Sequence, residues 1–155
     1  MLLGAYQLTG ILRPSIARDP YVAGYITGKI IWLVIGITKN RLSKRDANAA
    51  TGLILMNLFG DDAAEVSRCL KAHCAENSKA YQLGSARAEK LALYFFRIED
   101  VVGDAEHAPA LAWIAAARNG ALGIMPELNT TSDPFTDAIC GLEGLWFNDY
   151  MNRLI

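Results

Sequence analysis

The longest apolar stretch of the chain runs from Pro20 to Thr38, PYVAGYITGKIIWLVIGIT, and contains a single charged residue, Lys29. Asp19 precedes it, and an Asp-Pro pair is typical of an N-cap followed by proline in the first turn of a helix. The β-branched run over 30–37 would also suit a buried strand, but no other segment predicts a partner strand. The pattern therefore predicts one helix over 20–38, apolar on all sides, as in the centre of a bundle.

The length of this helix also matches a membrane span, which needs about 20 residues. The basic run KNRLSKR over 39–45 is similar to the basic segment that follows a membrane span on its cytoplasmic side. Against a span, a central lysine costs about 2.5–3.5 kcal/mol on the insertion scale, whereas each Leu, Ile or Val returns about 0.3–0.6 kcal/mol. The glycines, tyrosines and proline of the segment must be accommodated as well. The balance favours a buried helix, and membrane attachment through residues 20–38 is kept as an alternative.

The rest of the chain predicts helices and no strands. Asp62 and Glu65 form a capping-box pattern, Ser85 is placed to cap a further helix, and Asp133 precedes Pro134 as a second Asp-Pro start. The predicted helices cover roughly 46–59 before Gly60, 62 onwards, 85 onwards, 109–119 before Gly120, and 134–153. With an apolar segment before Pro14, the prediction is an all-α, single-domain bundle of six or seven helices over residues 1–155, around the helix at 20–38.

Apolar residues at helical spacing predict which faces point inward. For the helix after Asp62 they are Val66, Cys69, Leu70 and His73. For the helix after Ser85 they are Ala88, Leu91, Ala92, Phe95, Ile98 and Val102. For the last helix they are Phe135, Ile139, Leu142 and Trp146. The one longer connection, over 121–132, is interpreted as a plain loop whose apolar residues cover an end of the bundle.

Composition and charge add a partner hypothesis. Hydrophobic residues make up 52% of the chain, which predicts a large core or a buried interface between copies. Residues 1–45 hold seven Lys or Arg and one Asp, or +6, whereas residues 46–155 hold eight Lys or Arg and fifteen Asp or Glu, or −7. We interpret this difference as complementary charge: the basic residues 1–45 pack against the acidic residues 46–155, within one chain or across a dimer. The clustered basic face of a nucleic-acid-binding protein is missing from the sequence.

The cysteines and the N-terminus bear on the compartment. An odd number of three, Cys69, Cys74 and Cys140, does not suggest a disulfide framework. The first twelve residues have no basic region of the kind that opens a secretory signal. Both features predict a reduced, cytoplasmic protein.

Catalytic and metal signatures are weak throughout. Cys69 and His73 share a helix face, but zinc needs three or four ligands and the paired Cys-x2-Cys spacing is missing. The acidic cluster at 99–107 matches no cation-binding loop and is interpreted as a solvated turn. The sequence contains no Gly-rich phosphate loop, HExxH or GxSxG motif. We therefore predict no catalytic residues, no metal and no cofactor.

Four residues are the candidates for a ligand site. Lys29 needs a carboxylate, a path to solvent or a functional role if its helix is buried. Trp32, Trp113 and Trp146 fall on three different predicted helices and would either anchor the core or line an apolar pocket. Gly24 and Gly28 form a small-xxx-small pair, which predicts that another helix backbone packs closely there.

These features favour a non-enzymatic, small helical interaction protein that self-associates through an apolar surface and complementary charges. An alternative is a binding protein or enzyme for an apolar small molecule held between helices near the tryptophans. The remaining alternative is the membrane-attached protein described above.

Overall fold

A computed structural model describes residues 14–39, 41–119 and 133–148 of the chain. Over these ranges the protein is all-α and has no strand, so the predicted fold class is confirmed. Five helices have 12 residues or more and a sixth has ten. They are α1 Pro20–Thr38, α2 Lys44–Phe59, α3 Ala63–Glu76, α4 Lys79–Phe95, α5 His107–Arg118 and α6 Pro134–Glu143. Among the described residues, none of the helices combines the length and apolar character that crossing a bilayer requires.

The contacts divide the chain into two compact units, residues 3–92 and residues 93–155, with the boundary inside α4. The first unit holds α1, α2, α3 and most of α4; the second holds the end of α4 with α5 and α6. The single domain over 1–155 stays a prediction.

Helix α1 has the predicted bounds and the predicted start. The Asp19 carboxylate accepts a hydrogen bond from the Val22 N–H at 3.0 Å, and Pro20 occupies the first helical turn. The helix ends at Lys39, which has a φ of 51° and donates its N–H to the Ile35 carbonyl. Its buried residues are Tyr21, Val22, Ala23, Tyr25, Ile26, Ile30 and Val34. Ile31 is about half exposed, so α1 is buried most fully in its first three turns.

Small residues bring α1 and α4 into backbone contact. A β-carbon on Gly24 would collide with the Tyr81 carbonyl, and one on Gly28 would collide with Ala88. The contact is reciprocal, because a β-carbon on Gly84 would collide with the Tyr21 carbonyl. The predicted close approach at Gly24 and Gly28 is confirmed.

One predicted helix start is wrong, and a second start is correct in position but lacks the predicted capping hydrogen bond. Helix α4 begins at Lys79, because the Ser78 hydroxyl accepts the Tyr81 N–H at 3.3 Å; Ser85 therefore lies in mid-helix. Asp62 caps nothing with its side chain, because a 3-10 turn over Gly60–Asp62 runs directly into α3 and leaves Asp62 in helical geometry. Glu65, the other half of the expected capping box, contacts Arg18 at 3.2 Å instead.

The inward face predicted for α4 is correct at Ala88 and Leu91 but wrong at its end, since Phe95, Ile98 and Val102 are exposed. The helix stops at Phe95, and Arg97 adopts a φ of 56°. The Ile98 N–H then bonds to the Leu93 carbonyl and the Arg97 N–H to the Tyr94 carbonyl, which is a Schellman motif. Because the chain reverses direction at Arg97, the residues after it no longer follow the helical spacing from which the inward face was predicted.

Helices α5 and α6 pack antiparallel in the second unit. Gly141 lies against the Ala110 backbone, and Arg118 forms a two-bonded ion pair with Asp137 at 2.6 and 2.8 Å. Ile139, Leu142 and Trp146 are buried as predicted, whereas Phe135 is half-buried. A π turn over Gly144–Asn148 follows α6.

Several predictions fall outside the described residues. They concern the N-terminal segment before Pro14, the cap at Gly120, the connection over 121–132, and the end of the last helix beyond residue 148.

Candidate functional site

Lys29 lies half-buried on α1. Its ammonium is 5.8 Å from the centre of the Tyr25 ring, one turn earlier on the same helix. A cation over an aromatic face at this distance is stabilised by the ring quadrupole. The structure thus gives the Lys29 charge an aromatic contact within its own helix, and a ligand-binding role for Lys29 stays a prediction.

The three candidate tryptophans fall in both units. Trp32 is half-buried on α1 in the first unit. In the second unit the Trp113 ring lies against Gly144, and the buried Trp146 donates its indole N–H to the Glu106 carboxylate. Trp113 and Trp146 therefore both help to pack the α5–α6 pair. A ligand site at Trp32, Trp113 and Trp146 remains a hypothesis.

The Cys and His residues of α3 make protein contacts. The His73 Nε2 donates to the Arg18 carbonyl at 3.0 Å, and its Nδ1 lies 3.4 Å from a Glu76 oxygen. Cys74 is exposed. Burial raises the pKa of the Tyr81 phenol, and a hydrogen bond with the Cys74 thiol raises it further. Within the described ranges, no three His, Cys, Asp or Glu side chains are placed to hold a metal ion.

The acidic cluster at 99–107 accepts hydrogen bonds from its own unit. Asp104 accepts the Tyr94 hydroxyl at 2.7 Å and the Glu106 N–H at 2.8 Å. Asp100 accepts the Val102 N–H at 3.0 Å, and Glu106 accepts the indole of Trp146. These carboxylates thus fix the 3-10 turn between α4 and α5.

The surface feature that the sequence analysis missed is an apolar face of α2. Four residues, Ala49, Gly52, Leu53 and Met56, are exposed and share one side of this helix; we call them the α2 face. Leu53 is 68% exposed and Met56 is 62% exposed, which is unusual for neighbouring large apolar residues on one helix. Beside this face, the adjoining side of α2 buries Leu55 and Phe59 in the first unit.

The signal for this face was present in the sequence. Positions 49, 52, 53 and 56 follow the i, i+3, i+4, i+7 spacing of one helix stripe, and Leu55 and Phe59 extend the apolar surface on one side of it. The apolar surface of α2 is therefore wider than a single stripe. Only the fold shows that the part with Leu55 and Phe59 is buried and the part with Leu53 and Met56 is exposed.

Charges of opposite sign flank the α2 face. Lys44 and Arg45 are exposed in the first turn of α2 beside Asp46, whose carboxylate accepts the Ser43 hydroxyl, and Asp61 and Asp62 are exposed just after the end of the helix. Cations at a helix N-terminus oppose the helix dipole, so Lys44 and Arg45 do not stabilise α2 by that route. Asp61 and Asp62 also precede α3, whose dipole they favour.

A second exposed apolar patch lies in the other unit. Phe95, Ile98 and Val102 are each exposed by more than half, around the Schellman turn at Arg97. The Arg97 guanidinium is 4.5 Å from the centre of the Phe135 ring. Exposed charges of both signs, Arg97, Glu99 and Asp100, lie between the apolar residues of this patch.

The chain matches no family model, no curated protein and no solved structure.

Proposed function

We propose that the protein is a non-enzymatic helical interaction protein that associates with copies of itself through exposed apolar surface. The observation that supports this most directly is the exposure of Leu53 and Met56 side by side on α2, in a chain that buries a full apolar core elsewhere. Neighbouring exposed apolar side chains of this size mark interaction surfaces in soluble proteins.

The proposal extends to the architecture and the compartment. Helix α1 is the centre of a bundle of six or seven helices, which its buried first turns support. The protein is cytoplasmic and binds no nucleic acid. Cys69, Cys74 and Cys140 form no disulfide, as in a reducing compartment, and the net charge of the chain is −1.

Sedimentation velocity of the full chain tests the proposal. We expect the weight-average sedimentation coefficient to rise with protein concentration between about 1 and 500 µM, the range in which weak protein contacts saturate. A constant monomer value over this whole range would contradict self-association.

A further inference from the structure

The α2 face is shaped to fit another helix rather than a flat surface. Its small residues, Ala49 and Gly52, form the N-terminal half of the stripe, and its large ones, Leu53 and Met56, form the C-terminal half. A β-carbon built on Gly52 would meet nothing within 4 Å, so this position is open to an incoming side chain. Small residues let helix backbones approach closely, and large ones fill the space beside them.

The stripe is complementary to itself when a second copy runs in the opposite direction. If the two helices cross between residues 52 and 53, Leu53 of one copy lies opposite Gly52 of the other. Met56 then lies opposite Ala49, so that each large residue faces a small one. A twofold axis produces this match twice, as an isologous interface requires.

The same register matches the charges. Lys44 of one copy falls opposite Asp61 of the other, with Arg45 and Asp62 next to this pair, at both ends of the helix pair. Asp46 leaves the first turn of α2 with a net positive charge. A parallel arrangement would instead place like charges together at each end. In the antiparallel arrangement the two helix dipoles point in opposite directions, which is favourable. It also places Asp61 and Asp62 of each copy near the N-terminus of α2 in the other copy, where anions stabilise a helix.

From these relationships we infer that the α2 face binds the α2 face of a second copy of this chain, antiparallel about a twofold axis. The inference rests on the proposed self-association and names its surface, occupant and orientation. Packing of Leu53 and Met56 holds the pair together, and the Lys44–Arg45 and Asp61–Asp62 ends set its direction.

The size of the surface determines the strength of the association. A helix of 16 residues is about 24 Å long, so one helix pair buries less than the roughly 1,200 Å² at which stable interfaces begin. The dimer is therefore weak and reversible, with a Kd of micromolar order or higher.

Charge reversal at either end of α2 tests the orientation. The first variant is Lys44→Glu/Arg45→Glu, and the second is Asp61→Lys/Asp62→Lys. Each makes both ends of its own homodimer repulsive, and we expect its Kd to rise about tenfold or more at low salt. An equimolar mixture restores attraction at both ends, so we expect a dimer at least as tight as the wild type.

A matched control separates this effect from net charge. Arg68→Glu/Lys71→Glu makes the same change of charge at two exposed positions of α3. We expect this variant to dimerise like the wild type. Mixed with the Asp61→Lys/Asp62→Lys variant, it should restore less dimer than the Lys44→Glu/Arg45→Glu variant does.

The apolar contact is tested by Leu53→Glu, with Leu83→Glu as the control at an exposed leucine of α4. We expect about a tenfold or greater loss of dimer for Leu53→Glu only. Circular dichroism confirms that each variant is folded.

Each outcome decides between the two proposals. A wild-type chain that self-associates while Leu53→Glu and both charge variants leave its Kd unchanged overturns the α2 interface and leaves self-association standing. Charge variants that weaken the dimer but do not recover on mixing overturn the antiparallel orientation. A wild-type chain that is monomeric throughout overturns both.

Discussion

Gly24 of α1 faces the Tyr81 carbonyl of α4 so closely that no β-carbon fits between the two backbones. The α1–α4 contact therefore depends on the absence of a side chain rather than on the packing of one. This makes the glycine the most restrictive position on α1.

We expect Gly24→Ala to lower the free energy of unfolding by about 2–3 kcal/mol, because the two backbones must separate to admit the methyl group. The control is Gly52→Ala, where a β-carbon meets no neighbour. There alanine should stabilise the helix by about 0.5–1 kcal/mol. Urea unfolding in dilute solution, where self-association does not contribute, measures both. Equal stability of Gly24→Ala and the wild type would show that the two helices are not in backbone contact.

The end of α4 gives a second prediction. Arg97 holds a left-handed conformation that costs a residue with a β-carbon about 1 kcal/mol relative to glycine. Arg97→Ala and Arg97→Gly both lose the contact with Phe135, but only Arg97→Gly relieves the backbone. Arg97→Gly should therefore be more stable than Arg97→Ala by about 1 kcal/mol. Thermal unfolding compares them, and equal melting temperatures would argue against the Schellman turn.

The ion pair between Arg118 and Asp137 joins α5 to α6. Its side chains are only 21% and 14% exposed, and its hydrogen bonds raise the pKa of Arg118 above the usual value of an arginine. Asp137→Ala leaves the guanidinium without this partner, so we expect the second unit to unfold at lower denaturant.

A double-mutant cycle with Arg118→Ala isolates the interaction between the two residues. The effects of the single substitutions should add up to more than the effect of the double substitution. Simple additivity would mean that the pair contributes no coupling between α5 and α6.

The contribution of the Asp133 cap at the start of α6 to the stability of the protein should depend on pH. Hydrogen bonds from the Thr136 N–H and hydroxyl, followed by the Phe135 N–H and the charge of Arg97, lower the pKa of this carboxyl below its usual 3.8. The folded state thus favours the ionised form. Its stabilisation is complete above the unfolded pKa and is lost as the pH falls through the folded pKa.

The comparison is with Asp133→Asn, which retains a capping oxygen but does not titrate. The stability difference between wild type and Asp133→Asn should be constant above about pH 5 and shrink below pH 4. Denaturant unfolding between pH 2 and 7 measures it. A difference that does not vary with pH would contradict a capping role for the ionised carboxylate.

The sequence by itself determined the fold class and the elements with strong local signals. Asp19-Pro20 and Asp133-Pro134 start helices because a carboxylate cap and a proline act within one turn. Gly24 and Gly28 predicted a close helix contact, because only a missing side chain allows one.

Tertiary structure decided which local signals were used and which faces were buried. Ser78 rather than Ser85 starts α4, since both are suitable caps and the close packing of Gly84 against Tyr21 requires helix at that point. The reversal at Arg97 exposes Phe95, Ile98 and Val102, which the helical period had placed inside. On α2 the apolar residues form one wide surface, and only the position of the helix in the fold buries Leu55 and Phe59 and leaves Leu53 and Met56 outside. Burial is a property of the surroundings, and for these residues the surroundings come from distant parts of the chain.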